Sequence, residues 1–593
     1  MKKHLCFLLA LLSLVFSLSC RKDQAHEQYT ELPPSIRPDL SVTLTTSVSG
    51  FVTDEHDKPV YGAQVKAGDK DATTDAFGYF TIRNAVVAET AGAVRISKPG
   101  YFQHVKTFIP QAGKESFVRA KLLPKVNTGS IDAASGGTVS AASSARVALP
   151  ANGVVLAAGG TPYTGTVQVA IQWIDPADVA QQLSAAGDGR GLDTEGWLVY
   201  TRSFGTLAVE LTGSSGQLLQ VAAGKKATIS IPVPVSMTGA APATVALWSL
   251  DETSGLWKQE STAAKNGTVY TGEVSHFSFW TGAIGLPLVN MTAQIVDAAL
   301  HPLANVAVGV RYAGQSFNAG GGTFGFTDAN GIVTGAVPAN TNLALAVLTP
   351  CALESYAHPF TTGNSNTDLG TIQGNLGQSL VTISGNVVDC SNRPVTDGYV
   401  QTFENGLFTR TPIVNGAFSF TGIACTNMAT SLVAVDNTLH QQGAPQLISL
   451  TTGVNNLGTI TACGTSTVGV INYTIDGVLK MLIEPANPLH AYFSPLAGGW
   501  TTVLELIPSP GTPAISFQFD GDAVTGNTHK VADIFCTGFP SGRALAPVPL
   551  TVTITDYGSP GGFISGNFSG PVLDFPTNSP HIISCDFRVR RYQ

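Results

Sequence analysis

The chain has 593 residues, 44% of them hydrophobic and 12% charged, with 32 basic against 40 acidic side chains and a net charge of −8. That charged fraction is about half the ~25% usual for soluble chains and includes no basic block, which excludes a nucleic-acid surface, a coiled coil and an acidic solvating tail. At roughly 100–200 residues per domain the length predicts three to six domains, and 63 Gly with 34 Pro point to turns between strands.

The first twenty residues have the parts of a secretory signal: Lys2 and Lys3, an apolar run from Leu5 to Leu18, and Ser17-Leu18-Ser19 leading into Cys20. The run is shorter than the ~20 residues of a spanning helix, and no later segment is apolar for that length. Small residues before a cysteine resemble the box of bacterial lipoproteins, a family in which that cysteine becomes the lipidated first residue. The resemblance implies a signal peptide over 1–20, Cys20 as lipid acceptor, a membrane partner through that lipid, and an outer-membrane, extracytoplasmic address. Plain cleavage after Ser19 would instead leave Cys20 a free thiol. Arg21-Lys22-Asp23-Gln24 resembles the short signals that send some Gram-negative lipoproteins to the cell surface. Residues 21–44, with Pro33, Pro34 and Pro38, read as a tether reaching up to ~80 Å at ~3.3 Å per residue.

Three later segments share one pattern. Asp54, Asp297 and Asp389 each close a β-branched run, and Pro59, Pro302 and Pro394 each follow five positions later. Asp can cap its own turn backbone, and Pro presets φ where the chain re-enters a strand. A second turn recurs at Asp75 to Gly78, at Asp328 to Gly331 and at Asn415-Gly416, and Leu369-Gly370-Thr371-Ile372 returns as Leu457-Gly458-Thr459-Ile460. These residues resemble the carboxypeptidase regulatory-like domain, a seven-stranded sandwich of transthyretin type. The resemblance covers 45–125, 376–465 and, in divergent form with Ala293 for the opening Gly, 287–375. It implies an accessory module without catalysis of its own.

Residues 126–286 form a larger unit. Leu247-Trp248-Ser249-Leu250-Asp251, Ser254-Gly255-Leu256-Trp257 and Val274 to Trp280 resemble the β-sandwich module of ankyrins and netrin receptors. One helix is expected here, with Asp175 as N-cap, Pro176 in its first turn and Gly187 ending it. Residues 466–593 read as a β-rich unit of no recognised family, with strands such as Leu550 to Ile554. The fold class is all-β: tandem carboxypeptidase regulatory-like and Ig-like sandwiches after a signal peptide and tether.

Of eight cysteines, six lie beyond residue 350, an even number that suggests disulfides outside the cytoplasm. Cys536 and Cys585 stand alone in the last unit and are the expected pair. Cys351, Cys390, Cys425 and Cys463 allow three connectivities, and buried free thiols are the alternative for any of them. No spacing fits zinc, and no metal or cofactor is expected.

No metalloprotease helix or nucleophile elbow is present, and Gly224-Lys225-Lys226 lacks the glycine and hydroxyl of a phosphate loop. His276 reads as a structural histidine on the same strand face as Trp280. Asp54, Glu55, His56 and Asp57 lack calcium-loop spacing and read as a solvated turn. Five of six tryptophans fall in the second unit, where Trp248 and Trp257 are the candidates for stacking on sugar rings, against core packing. The expectation is a non-enzymatic, lipid-anchored envelope protein with a structural or adhesive role toward a protein or glycan partner. A glycan-binding lipoprotein of a polysaccharide-uptake system is the runner-up, and a hydrolase with accessory sandwiches comes third because no nucleophile–base set is visible.

Overall fold

The computed structural model describes residues 36–591, apart from 184, 321, 351–353, 375, 377–378, 405 and 426–427 and, in the last unit, 485–488, 495–499, 506–513, 521–527, 538, 540–541, 547–549, 559–561 and 576. The chain is an all-β protein of packed sandwiches. In the first, β1 (Thr43–Thr53) lies between β4 (Tyr79–Ala88), antiparallel, and β7 (Glu115–Lys121), parallel. The facing sheet runs β3 (Lys70–Thr73), β2 (Gln64–Ala67), β5 (Gly92–Ser97) and β6 (His104–Phe108). Period-two alternation drives Phe80 and Ile82 of β4 inward against Val48, Val65 and Ile96, while Thr81 and Arg83 face water.

The three-plus-four plan returns in the third unit, and in the fourth the three-stranded sheet faces six strands. Leu288–Val296 sits between Ile332–Pro338 and Thr367–Gln373, and Leu380–Val388 between Ala417–Ile423 and Gly453–Thr461, each antiparallel on one side and parallel on the other. The recurring Leu-Gly-Thr-Ile is a β-bulge: Gly370 and Gly458 hold φ of 62° and 66°, and both parallel ladders shift register there.

The acidic punctuation turns the chain. Asp54 Oδ1 accepts the amides of His56 and Lys58 at 2.9 and 2.8 Å; Asp297 does the same for Ala299 and His301, and Asp389 for Ser391 and Arg393. Each Pro then bridges back to the residue before its Asp. At the second turn Asp75 caps Phe77 and Tyr79, and Gly78 (φ 69°) lies so close to the opening strand that a Cβ there would meet the Val52 carbonyl at 2.3 Å. In the third repeat Asn415 and Gly416, φ 51° and 76°, make the two-residue hairpin turn that Asn-Gly favours.

The second unit gathers thirteen strands, among them the long strand Leu198–Gly213, over a core holding Phe204, Leu207, Tyr270 and Trp280. Its helix is Val179–Leu183, and Asp178, not Asp175, caps it, accepting the amides of Ala180 and Gln181 at 2.9 and 3.2 Å. Asp175 instead caps the preceding turn at Ala177. Gly187 (φ 72°) follows the helix and donates to the Val105 carbonyl. A second short helix, Phe317–Gly320, was not anticipated. The last unit is a ten-stranded sheet curled so far that Ala491 bridges Arg591.

These bodies are not strung out as free spacers. Phe102 and Val105 of the first sandwich share a core with Trp248, Leu250, Trp257 and Phe279 of the second unit. Phe77 packs with Tyr399, Phe403, Val433 and Val435 of the fourth. The outer faces of the first sandwich carry large apolar rings, and neighbours cover them. Residues 36–42, expected as tether, are docked as well: Leu40 packs with Ala91, Leu198 and Leu256, and Arg37 lies 4.0 Å over the Trp197 ring. No helix among the described residues is long and apolar enough to cross a membrane.

Candidate functional site

A polar cleft of about 490 Å³ lies in the second unit against Gln103 of the first. Ser249 donates to Glu260 Oε1 at 2.5 Å, and His276 Nε2 lies 3.0 Å from the same oxygen. The imidazole leans on Trp280, ring centres 5.1 Å apart, and the Trp280 indole N–H donates to the His276 carbonyl. Asp251 pairs with Lys258, and Gln103 donates to Glu252 Oε2 at 2.6 Å. Burial pushes the Glu252 carboxyl up, with Arg95 offsetting part of it. Burial also works to raise Asp251, but the Lys258 ammonium and the turn amides outweigh it and leave it lowered.

The carboxylate thus stands between hydroxyl and imidazole. A serine activated for attack needs the imidazole beside it to take its proton; here Ser249 and His276 each engage Glu260 instead. The arrangement fixes an acidic side chain, and His276, expected on a strand, sits in the bend between the strands Val269–Val274 and Phe279–Leu286.

A second groove of about 250 Å³ lies where the first, third and fourth sandwiches meet. Arg410 reaches across to Asp75, lies 3.8 Å over the Tyr79 ring and 4.0 Å over Tyr399, and donates from Nε to Gln401 at 2.8 Å. Arg119 donates to the Gly406 carbonyl at 3.3 Å and stands between the rings of Phe326 and Phe408, at 4.9 and 4.6 Å. Burial pushes its guanidinium down to about 10, against the attraction of Asp57. Sequence reading missed both arginines, because nothing local to either marks the aromatic rings that distant segments bring to it.

The predicted site residues fare differently. Cys20 lies outside the described residues, as does Cys351. Cys390 and Cys463 form a disulfide, closing the turn after the opening strand onto the end of the last strand of the same sandwich, and Cys425 is disulfide-bonded too. Cys536 and Cys585, expected as a pair, are free buried thiols. They sit in one apolar core with Ile515, Phe517 and Phe568, where cysteine packs as a small hydrophobe.

Trp248 and Trp257 are 1% and 4% exposed and present no face to a sugar. Packing between the first two units has claimed both rings, and the Trp248 N–H is spent on the Ala283 carbonyl at 3.1 Å. Asp54, Glu55 and His56 do approach within 4.8 Å of one another, but the Asp54 oxygen serves its own turn amides and the other two side chains are exposed.

No protein-family model matches the chain. It is 31% identical over 201 residues to mouse cartilage intermediate layer protein 2, covering 32% of this chain and 17% of that protein. Human cartilage intermediate layer protein 2 is 32% identical over 117 residues, and pig cartilage intermediate layer protein 1 is 30% identical over 102. The matched segments span 17%, 10% and 16% of those proteins' lengths. Among solved structures, the shaft pilin SpaA of Lactobacillus rhamnosus GG overlaps 30% of this chain and 98% of its own at 12% identity and a TM-score of 0.17. The Bacillus anthracis TIE protein overlaps 71% of this chain and 51% of its own at 8% identity and a TM-score of 0.14.

Proposed function

We propose that the protein is a non-catalytic structural or adhesive element of the cell envelope, anchored through a lipid on Cys20 and working outside the cytoplasm. The observation that carries this reading is the cross-unit lock at Arg410, in which a turn, two rings and a guanidinium from separate sandwiches are committed to holding one another. Side chains spent on such packing make a stiff body that bears load or presents loops at fixed spacing. The Cys390–Cys463 disulfide fits an oxidising compartment. The partial likeness to proteins named for a cartilage layer fits a matrix-type role.

The test compares cells producing the full chain, a Cys20→Ala variant and an Arg410→Ala variant. Surface labelling reads out anchoring, and adhesion to protein-coated and polysaccharide-coated supports reads out function. Cys20→Ala is expected to release the protein from the membrane, and both variants to reduce adhesion. Equal adhesion by all three, or turnover of an ester, peptide or glycoside by the purified chain, overturns the proposal.

A further inference from the structure

Where the first three units meet, a cavity of about 80 Å³ is lined by Lys106, Asp188, Arg202, Ser203 and Thr323, among others. Three elements converge to build it. β6 brings Lys106, whose ammonium donates to the Ala185 carbonyl at 2.6 Å. The long strand of the second unit brings Arg202 and Ser203, and Gly322 and Thr323 of the third unit close it.

Its charges do not balance. Among the described lining residues Asp188 is the one carboxylate; it attracts Lys106 and also pairs with Arg190, whose Nε and Nη2 lie 2.7 and 2.6 Å from Asp188 Oδ2. Arg190 spends its remaining donors on the carbonyls of Thr90 and Phe108. Lys106 and Arg202 bring two positive charges to a wall whose described residues include one acid.

Arg202 makes no ion pair among the described residues. Its Nε–H is buried without an acceptor, and its guanidinium lies 4.5 Å over the ring of Tyr312, whose own buried hydroxyl also lacks a partner. The Arg202 Nε–H is thus a buried donor without an acceptor in a residue that lines the cavity, whereas Tyr312 lies outside the lining. In the lining the hydroxyls of Ser203, Thr206 and Thr281 form a chain at 2.8 and 3.1 Å. What this wall lacks is an acceptor carrying negative charge. The volume equals roughly two or three waters at ~30 Å³ each, the size of one small tetrahedral oxyanion. Such an ion offers several oxygens in different directions, matching an ammonium and a guanidinium on separate walls.

We propose that this cavity is an anion site that takes one free inorganic oxyanion of the phosphate or sulfate type, held between Lys106 and Arg202 at the junction of the first three units. Inorganic phosphate titrated calorimetrically into the full chain, at ionic strength held constant with sodium chloride, is expected to bind saturably at one site. Arg202→Gln, a change on a partly buried residue, is expected to weaken that binding at least tenfold while the circular dichroism spectrum is retained. A sulfated oligosaccharide, too large for the cavity, is expected not to compete. No saturable heat with the unsubstituted chain, or full phosphate affinity in Arg202→Gln, overturns the proposal. Competition by the oligosaccharide overturns the inorganic-ion assignment. Should Arg202→Gln fail to fold, the anomalous peak of selenate in crystals of the unsubstituted chain decides: between Lys106 and Arg202 it supports the site, and a peak only elsewhere sinks it.

Discussion

Arg410 and Asp75, 335 residues apart, are joined side chain to side chain, and the same Asp75 uses its other oxygen to cap the turn amides of Phe77 and Tyr79. One carboxylate therefore shapes a local hairpin and locks two sandwiches together. Asp328, at the matching turn of the next repeat, caps Asn330 and Ile332 in the same way.

Arg410→Ala removes the ion pair and two ring contacts at a site where the partners' side chains are 19% and 32% exposed. That exposure lies between surface and buried pairs, so the expected loss is roughly 1–3 kcal/mol. Calorimetry should show it as a lowered transition, and small-angle scattering as an increase in dimensions. Arg410→Lys should recover little, because an ammonium cannot stack flat between Tyr79 and Tyr399 while engaging Asp75 and Gln401. Recovery by Lys equal to Arg would show that charge alone holds the joint.

The Cys390–Cys463 bridge closes a 73-residue separation. Chain-entropy arguments put its removal at about 4 kcal/mol for a loop of that size. A Cys390→Ala, Cys463→Ala double variant should lower the melting of the fourth sandwich by several degrees and leave the first sandwich's transition nearly in place. A shift shared by every transition would mean that the sandwiches unfold as one unit.

What sequence could reveal follows from range. The Asp, Pro and Gly punctuation was legible because each Asp reaches amides two and four residues on, so cause and effect lie within one turn. The helix was found but its cap misplaced by three residues, since Asp175 and Asp178 both offer an oxygen to nearby amides. The fates of Trp248, Trp257 and Arg119 were illegible, because the segments that bury or stack on them come from other units. Cys536 and Cys585 misled for a different reason: an even count outside the cytoplasm suggests bridges, but the last unit's own core assigns both to apolar packing.

That packing has a chemical consequence. Burial pushes the Cys536 thiol up to about 12 and raises Cys585 further from its ordinary value. The thiolate is the reactive form, and at pH 8 a group titrating near 12 is ionised in about one molecule in ten thousand. Iodoacetamide at pH 8 should leave both residues unmodified in the native protein and alkylate both once denaturant is added without reductant. Peptide masses showing both protected in denaturant would restore the bridge.

His104 is 1% exposed, and both of its ring nitrogens lack partners, with Phe279 edge-on at 6.4 Å. Burial, helped by the charge of Lys106, lowers its pKa from 6.5 to about 3. The folded state thus keeps the ring neutral while the unfolded chain takes up a proton below pH 6.5, so the unfolded state binds more protons between those values and stability falls as pH falls. The contribution is complete above pH 6.5 and lost progressively toward pH 3, up to about 5 kcal/mol at ~1.4 kcal/mol per unit. His104→Leu removes the titrating group and two orphaned polar atoms at similar volume. It should match or exceed the unsubstituted protein at pH 7, and its melting temperature should fall less between pH 7 and pH 4. Parallel pH profiles for the two proteins would show that His104 does not carry the acid sensitivity.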